Sequence, residues 1–224
     1  MILAVTGGKG GVGKSTVAYN LAANLDAVVV DGDLGMADLP ADHGPDLHDV
    51  LAGRADPIEA VREGPPVSIL PCGRSLAGAR AGDPTALVSA IEAVERAYGD
   101  VVVDSPAGLR ADVGLPLYVA DACVLVTTPS ESAVTDAVRV RELARELDAG
   151  LARVVLNRAD DGANPDAVAA TLGAPVTTVP DDAVVADAQA AGQPVCRASP
   201  GTPACQAFRS LADAVERVCR GHRP

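Results

Sequence analysis

Short β-branched runs alternate with alanine-rich segments of helical period along the whole chain. That alternation is the pattern of parallel strands joined by right-handed helical crossovers, and it leaves few other architectures open. Strands are predicted at Ile2–Val5, Val28–Val30, Val67–Leu70, Val101–Val103, Cys123–Val126, Val154–Leu156 and Val176–Val179. Most are apolar at every residue, as strands covered on both faces should be. Helices are predicted near 14–25, 46–52, 57–63, 84–98, 132–147, 164–172, 181–191 and 203–219. Asp83-Pro84 and Asn164-Pro165 read as an N-cap followed by a first-turn proline. Gly73–Gly82, with three glycines and no strong period, is expected to be a mobile surface loop. The predicted fold class is α/β: a doubly wound, mostly parallel sheet flanked by helices on both faces. A chain of 224 residues suits one such domain, over residues 1–224.

Composition removes several classes. No apolar run approaches the roughly 18 to 20 residues that a bilayer span requires. The start, Met1-Ile2-Leu3-Ala4-Val5, lacks a basic flank and meets a glycine at Gly7, so it reads as a first strand and a cytoplasmic location is expected. The five cysteines (Cys72, Cys123, Cys196, Cys205, Cys219) are odd in number and include no Cys-x-x-Cys pair. They are expected to be reduced and to act as small hydrophobes, which sets aside disulfide scaffolds and zinc fingers. The net charge is −12, with 22 Asp, 8 Glu, 16 Arg and only 2 Lys. Such a surface repels nucleic acid and anionic lipid at ordinary salt. It also suits a salt-rich, halophilic cytoplasm, where screening lengths fall to a few ångströms. Four aromatic residues leave little on which to stack bases, so a single-strand-binding platform is not expected, nor nucleic acid as a partner.

After the first strand come Gly8, Lys9, Gly10, Gly11, Val12, Gly13, Lys14, Ser15 and Thr16, matching the phosphate-loop pattern of Gly, four residues, Gly-Lys-Ser/Thr. Glycines let backbone amides turn inward around phosphate oxygens, and the following helix aims its positive end at them. Lys14 adds a mobile point charge, and Ser15 supplies a hydroxyl for Mg²⁺. The chain's two lysines, Lys9 and Lys14, both lie in this loop. A composition purged of lysine everywhere else implies that a compact ammonium is needed here, which a planar guanidinium cannot replace.

Strand Val28–Val30 runs into Asp31-Gly32-Asp33, which sets two carboxylates beyond the carboxyl edge of the sheet, where open α/β folds bind ligands. Strand Val101–Val103 delivers Asp104-Ser105-Pro106-Ala107-Gly108-Leu109. An apolar strand ending in aspartate is the Walker B arrangement, with the carboxylate holding Mg²⁺. Gly108 can bring its amide close to a γ-phosphate, so this segment is expected to change shape on hydrolysis.

Lys9-Gly-Gly-Val-Gly-Lys14-Ser-Thr resembles the deviant Walker A sequence of the MinD/ParA ATPases, within the larger group that includes nitrogenase iron protein. Asp104-Ser105-Pro106-Ala107-Gly108 resembles the MinD version of switch II, and Asp46–Gly53 is similar to archaeal MinD-like proteins. Thr127–Pro129 with Ser132–Ala137, and Val154–Arg158, extend the match over about residues 2–200. The resemblance implies a P-loop NTPase of the SIMIBI type that binds ATP or ADP with Mg²⁺ and hydrolyses ATP slowly, stimulated by a partner. It implies that Lys9 acts in trans across an ATP-dependent homodimer, that Asp33 orients the attacking water, and that Asp31 supports the metal site with Ser15 and Asp104. Lys9, Lys14 and Asp33 are thereby the catalytic candidates. Asn157, followed by Arg158, would meet the adenine edge, and Pro180 and Asp181 would lie near the same base. An unidentified protein partner is implied, with an output that positions a division, motility or other polar assembly, peripheral at the membrane or the pole.

The match has departures. The short amphipathic anchor of bacterial MinD proteins has no counterpart in Gly221–Pro224, so membrane contact is left open. In the last helix Ala204, Phe208, Leu211, Val215 and Val218 form an apolar stripe, read as packing on the sheet. Arg217, Arg220, His222 and Arg223 read as a solvated tail, and His43 and His48 as surface residues. Switch II carries no cysteine, so no iron–sulfur cluster is expected. Two alternatives share the fold: an ATP-dependent metabolic ligase or synthetase, and a ParA-like DNA-partition ATPase.

Overall fold

A computed structural model describes residues 1–35, 39, 43–73, 83–108 and 111–221, with the backbone alone at 111–113. Seven strands form one sheet: β1 (Ile2–Thr6), β2 (Val28–Asp31), β3 (Ile69–Leu70), β4 (Val101–Asp104), β5 (Ala122–Thr127), β6 (Gly150–Ala159) and β7 (Val176–Pro180). Their order is β3-β2-β4-β1-β5-β6-β7, and every pairing is parallel.

Alternation of side chains along each strand sorts the helices onto two faces. Leu3, Val5, Val29, Val102, Val124 and Val155 point toward α1 (Lys14–Leu25) and α10 (Pro203–Arg220). The short helices α8 (Ala183–Ala190) and α9 (Val195–Ala198) join that side through Ala188 and Val195. On the other side Ile2, Val28, Val101 and Val103 meet α2 (Leu47–Leu51), α3 (Pro57–Ala60) and α4 (Ala86–Tyr98). Further along the same side, Leu117 of α5 (Ala111–Val119) and Ala144 of α6 (Glu131–Glu146) cover Ala4 and Cys123. Val168 and Leu172 of α7 (Pro165–Leu172) cover Leu125 and Leu156.

Helix α10 confirms the packed stripe through Ala204, Phe208, Leu211 and Val215, whereas Val218 lies 38% exposed. The fully buried Phe208 ring alone contributes about 1.5–3 kcal/mol by leaving water. Among the described residues, no helix is long and apolar enough to cross a membrane.

Several predicted boundaries are corrected. Strand β3 is shorter than Val67–Leu70, with prolines at 65, 66 and 71 removing ladder donors on either side. Strand β6 is longer than Val154–Leu156, because Gly150–Arg153 pair with β5 despite lacking a continuous β-branched run. Helix α3 stops at Ala60, since Val61 turns extended and Arg62 bridges Ile69. Asp83 does not cap α4; its carboxylate accepts from the Thr85 amide and hydroxyl in the preceding turn, and the helix starts at Ala86. Asn164 does cap α7, accepting from the Ala167 amide. Of the expected mobile loop Gly73–Gly82, residues 74–82 lie outside the described residues, as do Leu109, His222 and Arg223.

Candidate nucleotide site

Strand β1 lies between β4 and β5, and its last residue hands the chain to the glycine loop at the carboxyl edge of the sheet. The loop closes on Gly13, whose φ of 97° is left-handed and whose Cα lies against the Asn157 amide, so a side chain here would be both strained and blocked. Gly8 is held as tightly from the other side, where a Cβ would collide with the backbone of Asp136 in α6. Helix α1 then starts at Lys14 with neither a side-chain cap nor an acidic residue in its first turn. Its leading amides are therefore left for an anion.

Lys14 is buried, 8% exposed. Asp31 and Asp104 stand opposite each other on adjacent strands and are 0% and 1% exposed. Burial, first of all, pushes the Asp104 carboxyl up to about 8; the Ser15 hydroxyl works against this, the Asp31 carboxylate adds to it, Lys14 opposes it, and Asp33 adds again. The Asp104 oxygens, the Thr6 hydroxyl and the Ser105 hydroxyl are buried without a partner at ordinary hydrogen-bond distance among the described residues. Buried polar atoms left in that state normally mark the place of a ligand or ion. Hydroxyl and carboxylate oxygens suit a hard cation such as Mg²⁺, and the amide-lined loop with its buried ammonium suits phosphate. Lys14, Ser15, Asp31, Asp33 and Asp104 are thus brought into one cluster.

The remaining candidates are placed as follows. The Lys9 ammonium donates to the Ser132 hydroxyl at 3.1 Å, and Ser132 lies 3.2 Å from Ser130, the N-cap of α6. Asp33 is half-exposed, and its carboxylate accepts from the Gly35 amide at 3.3 Å. The Asn157 side chain donates to the Val12 carbonyl at 2.8 Å, which ties β6 to the loop itself. Arg158 is exposed as the penultimate residue of β6 and Asp181 is exposed just past the end of β7, and the Asp181 amide donates to the Ala159 carbonyl. Pro180 pairs with Ala159, and Gly108 holds a φ of 96°.

His48 corrects the expectation of a surface residue: it is 4% exposed and its Nε2 lies 3.1 Å from the Leu34 carbonyl. A carbonyl only accepts, so this nitrogen carries the proton. The Cys72 thiol donates to the neighbouring Asp33 carbonyl at 3.1 Å. Burial, followed by the Asp31, Asp33 and Asp46 carboxylates, raises that thiol far above its ordinary range and keeps it a donor. Two buried side chains thus fix consecutive carbonyls of the segment that carries Asp33. Cys72→Ala is expected to cost about 1 kcal/mol in denaturant unfolding. It should also speed amide hydrogen exchange at Leu34 and Gly35; unchanged exchange there would show that the pair does not hold the turn.

Asn20 carries a structural role that no motif announces. Its Nδ2 donates to the Thr16 carbonyl at 2.8 Å and its Oδ1 accepts from the Val195 amide at 2.7 Å. An asparagine amid Ala and Leu on a helix bound for the core was the available signal.

A glycine loop between a central strand and a helix, a buried lysine at the helix start and an aspartate ending the neighbouring strand define a P-loop nucleotide-binding protein of the doubly wound α/β class. The chain belongs to the CbiA family, the CobQ/CobB/MinD/ParA nucleotide binding domain, whose family model matches residues 3–195. It is 32% identical to the uncharacterised ATP-binding protein MJ0547 of Methanocaldococcus jannaschii, over 94% of this chain and 85% of that one. It is 34% identical to MJ0169 of the same organism, also an uncharacterised ATP-binding protein, over 97% of this chain and 89% of that one. Among solved structures, the septum site-determining protein MinD of Pyrococcus horikoshii, complexed with Mg-ADP, superposes with a TM-score of 0.91 at 30% identity, covering 97% of this chain and 96% of that one.

Proposed function

We propose that residues 1–224 form one ATPase unit that binds ATP with Mg²⁺, pairs with a second copy in that state, and hydrolyses ATP slowly to ADP and phosphate. The observation that carries this reading is the meeting of Lys14, Ser15 and Asp104 at the mouth of the glycine loop. Lys14 and the loop amides hold phosphate oxygens. Ser15 and Asp104 hold the metal, with Asp31 behind them. When bound, Mg²⁺ neutralises charge on the transferring phosphoryl group. Asp33 orients the attacking water, and Lys9 leaves Ser132 to reach the phosphates of the partner copy. Asn157, Arg158, Pro180 and Asp181 flank the base. Hydrolysis, stimulated by a protein partner, relaxes the segments at Asp33 and Gly108 and releases that partner. The output is spatial, the positioning of a division, motility or other polar assembly in the cytoplasm or at its membrane; the Pyrococcus relative's role as a septum site-determining protein supports this.

Asp33→Ala is expected to trap an ATP-bound dimer, seen as a doubling of mass by light scattering in molar KCl with MgATP. Adding Lys9→Ala should return it to the monomer. A monomeric Asp33→Ala protein under saturating MgATP would reject the sandwich.

A further inference from the structure

The cysteines divide unexpectedly. Cys72 and Cys123 are buried thiols, as expected, but Cys196 and Cys205 are joined by a disulfide, which corrects the expectation that all five are reduced. Their Cα atoms lie 4.7 Å apart, within the ordinary disulfide range. The bond joins α9 to the first turn of α10. Cys205 is fully buried in the core with Phe208 and Leu211, whereas Cys196 is partly exposed.

The segment leading to Cys196 is fastened to the helix that starts in the phosphate loop, along one face of α1. The Thr16 hydroxyl donates to Gln189 Oε1 at 2.9 Å, the Tyr19 hydroxyl to the Gly192 carbonyl at 2.9 Å, and the Val195 amide to Asn20 at 2.7 Å. Thr16 directly follows Ser15, and the Thr16 carbonyl is the acceptor for Asn20. Residues 189–195 therefore bridge the nucleotide loop's own helix on one side and, through the disulfide, the sheet-packed helix α10 on the other.

We propose that Cys196 and Cys205 form a reversible thiol–disulfide site that sets how firmly segment 189–195 clamps α1, and thereby how fast nucleotide leaves. The inference rests on the nucleotide reading above. A low-molecular-weight thiolate attacks Sγ of Cys196, the partly exposed residue of the pair; the S–S bond breaks, and Cys205 leaves as a thiolate that takes up the proton given up by the attacking thiol. A second small thiol attacks the outer sulfur of the mixed disulfide and releases Cys196 as a thiol. Two electrons pass to the protein and one small disulfide is formed. A small disulfide such as oxidised glutathione drives the reverse. Reduction removes the covalent tie between α9 and α10, so the three contacts to α1 and the burial of Val195 must hold the segment without it.

The test uses the intact chain, equilibrated with dithiothreitol or with oxidised glutathione. Differential alkylation and mass spectrometry assign the state of Cys196 and Cys205, and stopped flow follows release of a fluorescent ADP analogue. Release is expected to be about five- to tenfold faster from the reduced form, a modest coupling between sites. Cys196→Ser and Cys205→Ser should match the reduced protein and ignore the redox poise. Alkylation that finds both thiols free after oxidised glutathione, or equal release rates in the two forms with only a shift in Tm, would overturn the proposal. A chain that binds the analogue in neither form would overturn the nucleotide reading and this inference with it, whereas equal rates overturn this inference alone.

Discussion

Lys14→Ala is expected to weaken adenine-nucleotide binding by about a hundredfold or more, since truncating one partner of a buried, charge-assisted contact costs roughly 2–5 kcal/mol. The side chain is buried at the loop's exit and its ammonium acts on Asp104. Its removal therefore takes away the cation facing the phosphates and the one that moderates the strand-end carboxylate. Arginine should not rescue it, because a planar fork does not fit the space of a compact ammonium. Calorimetry in molar KCl with Mg²⁺ measures the effect directly. Micromolar affinity retained by the alanine variant would undo the loop assignment.

Asp104→Asn should have an opposite pair of consequences. The folded protein holds this carboxyl near pH 8 against an ordinary value of 3.8. The raised value means that the fold disfavours the ionised form. Its contribution to stability is full below about pH 4 and is lost as pH rises toward 8, because the unfolded chain gives up the proton first. Asparagine stays neutral throughout. Without nucleotide and metal, the variant should melt on the order of 5 °C or more above the parent at pH 8, each kcal/mol being worth about 2–4 °C in a chain of this length. The gap should close toward pH 4. In the same variant Mg²⁺ should no longer strengthen ATP binding. Equal melting temperatures at pH 8 would show that the carboxylate is not strained by its burial.

Much of this was readable beforehand wherever local chemistry and global fold agree. The runs at 28–30 and 101–103 announce buried parallel strands because only a strand covered on both faces needs three valines in a row. The lysine pair announces phosphate because composition leaves no other reason for it. What was not legible depends on partners distant in sequence. Helix α5, with Gly114 and Pro116 inside it, carries no amphipathic period, being set by contacts with β1 and α6. His48 looks like a surface residue until the Leu34 carbonyl is brought to it, and nothing in the spacing of Cys196 and Cys205 reveals that α9 turns back on α10. The resemblance assigns Asn157 to the adenine edge, and only the fold shows its amide reaching 145 residues back to Val12.

The contact between Lys9 and Ser132 bears on how such a protein behaves alone. In this structure the ammonium rests on a hydroxyl in the first turn of α6. Under the proposed pairing, this exposed hydrogen bond, worth about 1 kcal/mol at most, is exchanged for contacts to the partner copy's phosphates. The strength of that hold is then set at position 132, and through it at 130, where it can be tuned without changing a single residue of the loop that grips the nucleotide.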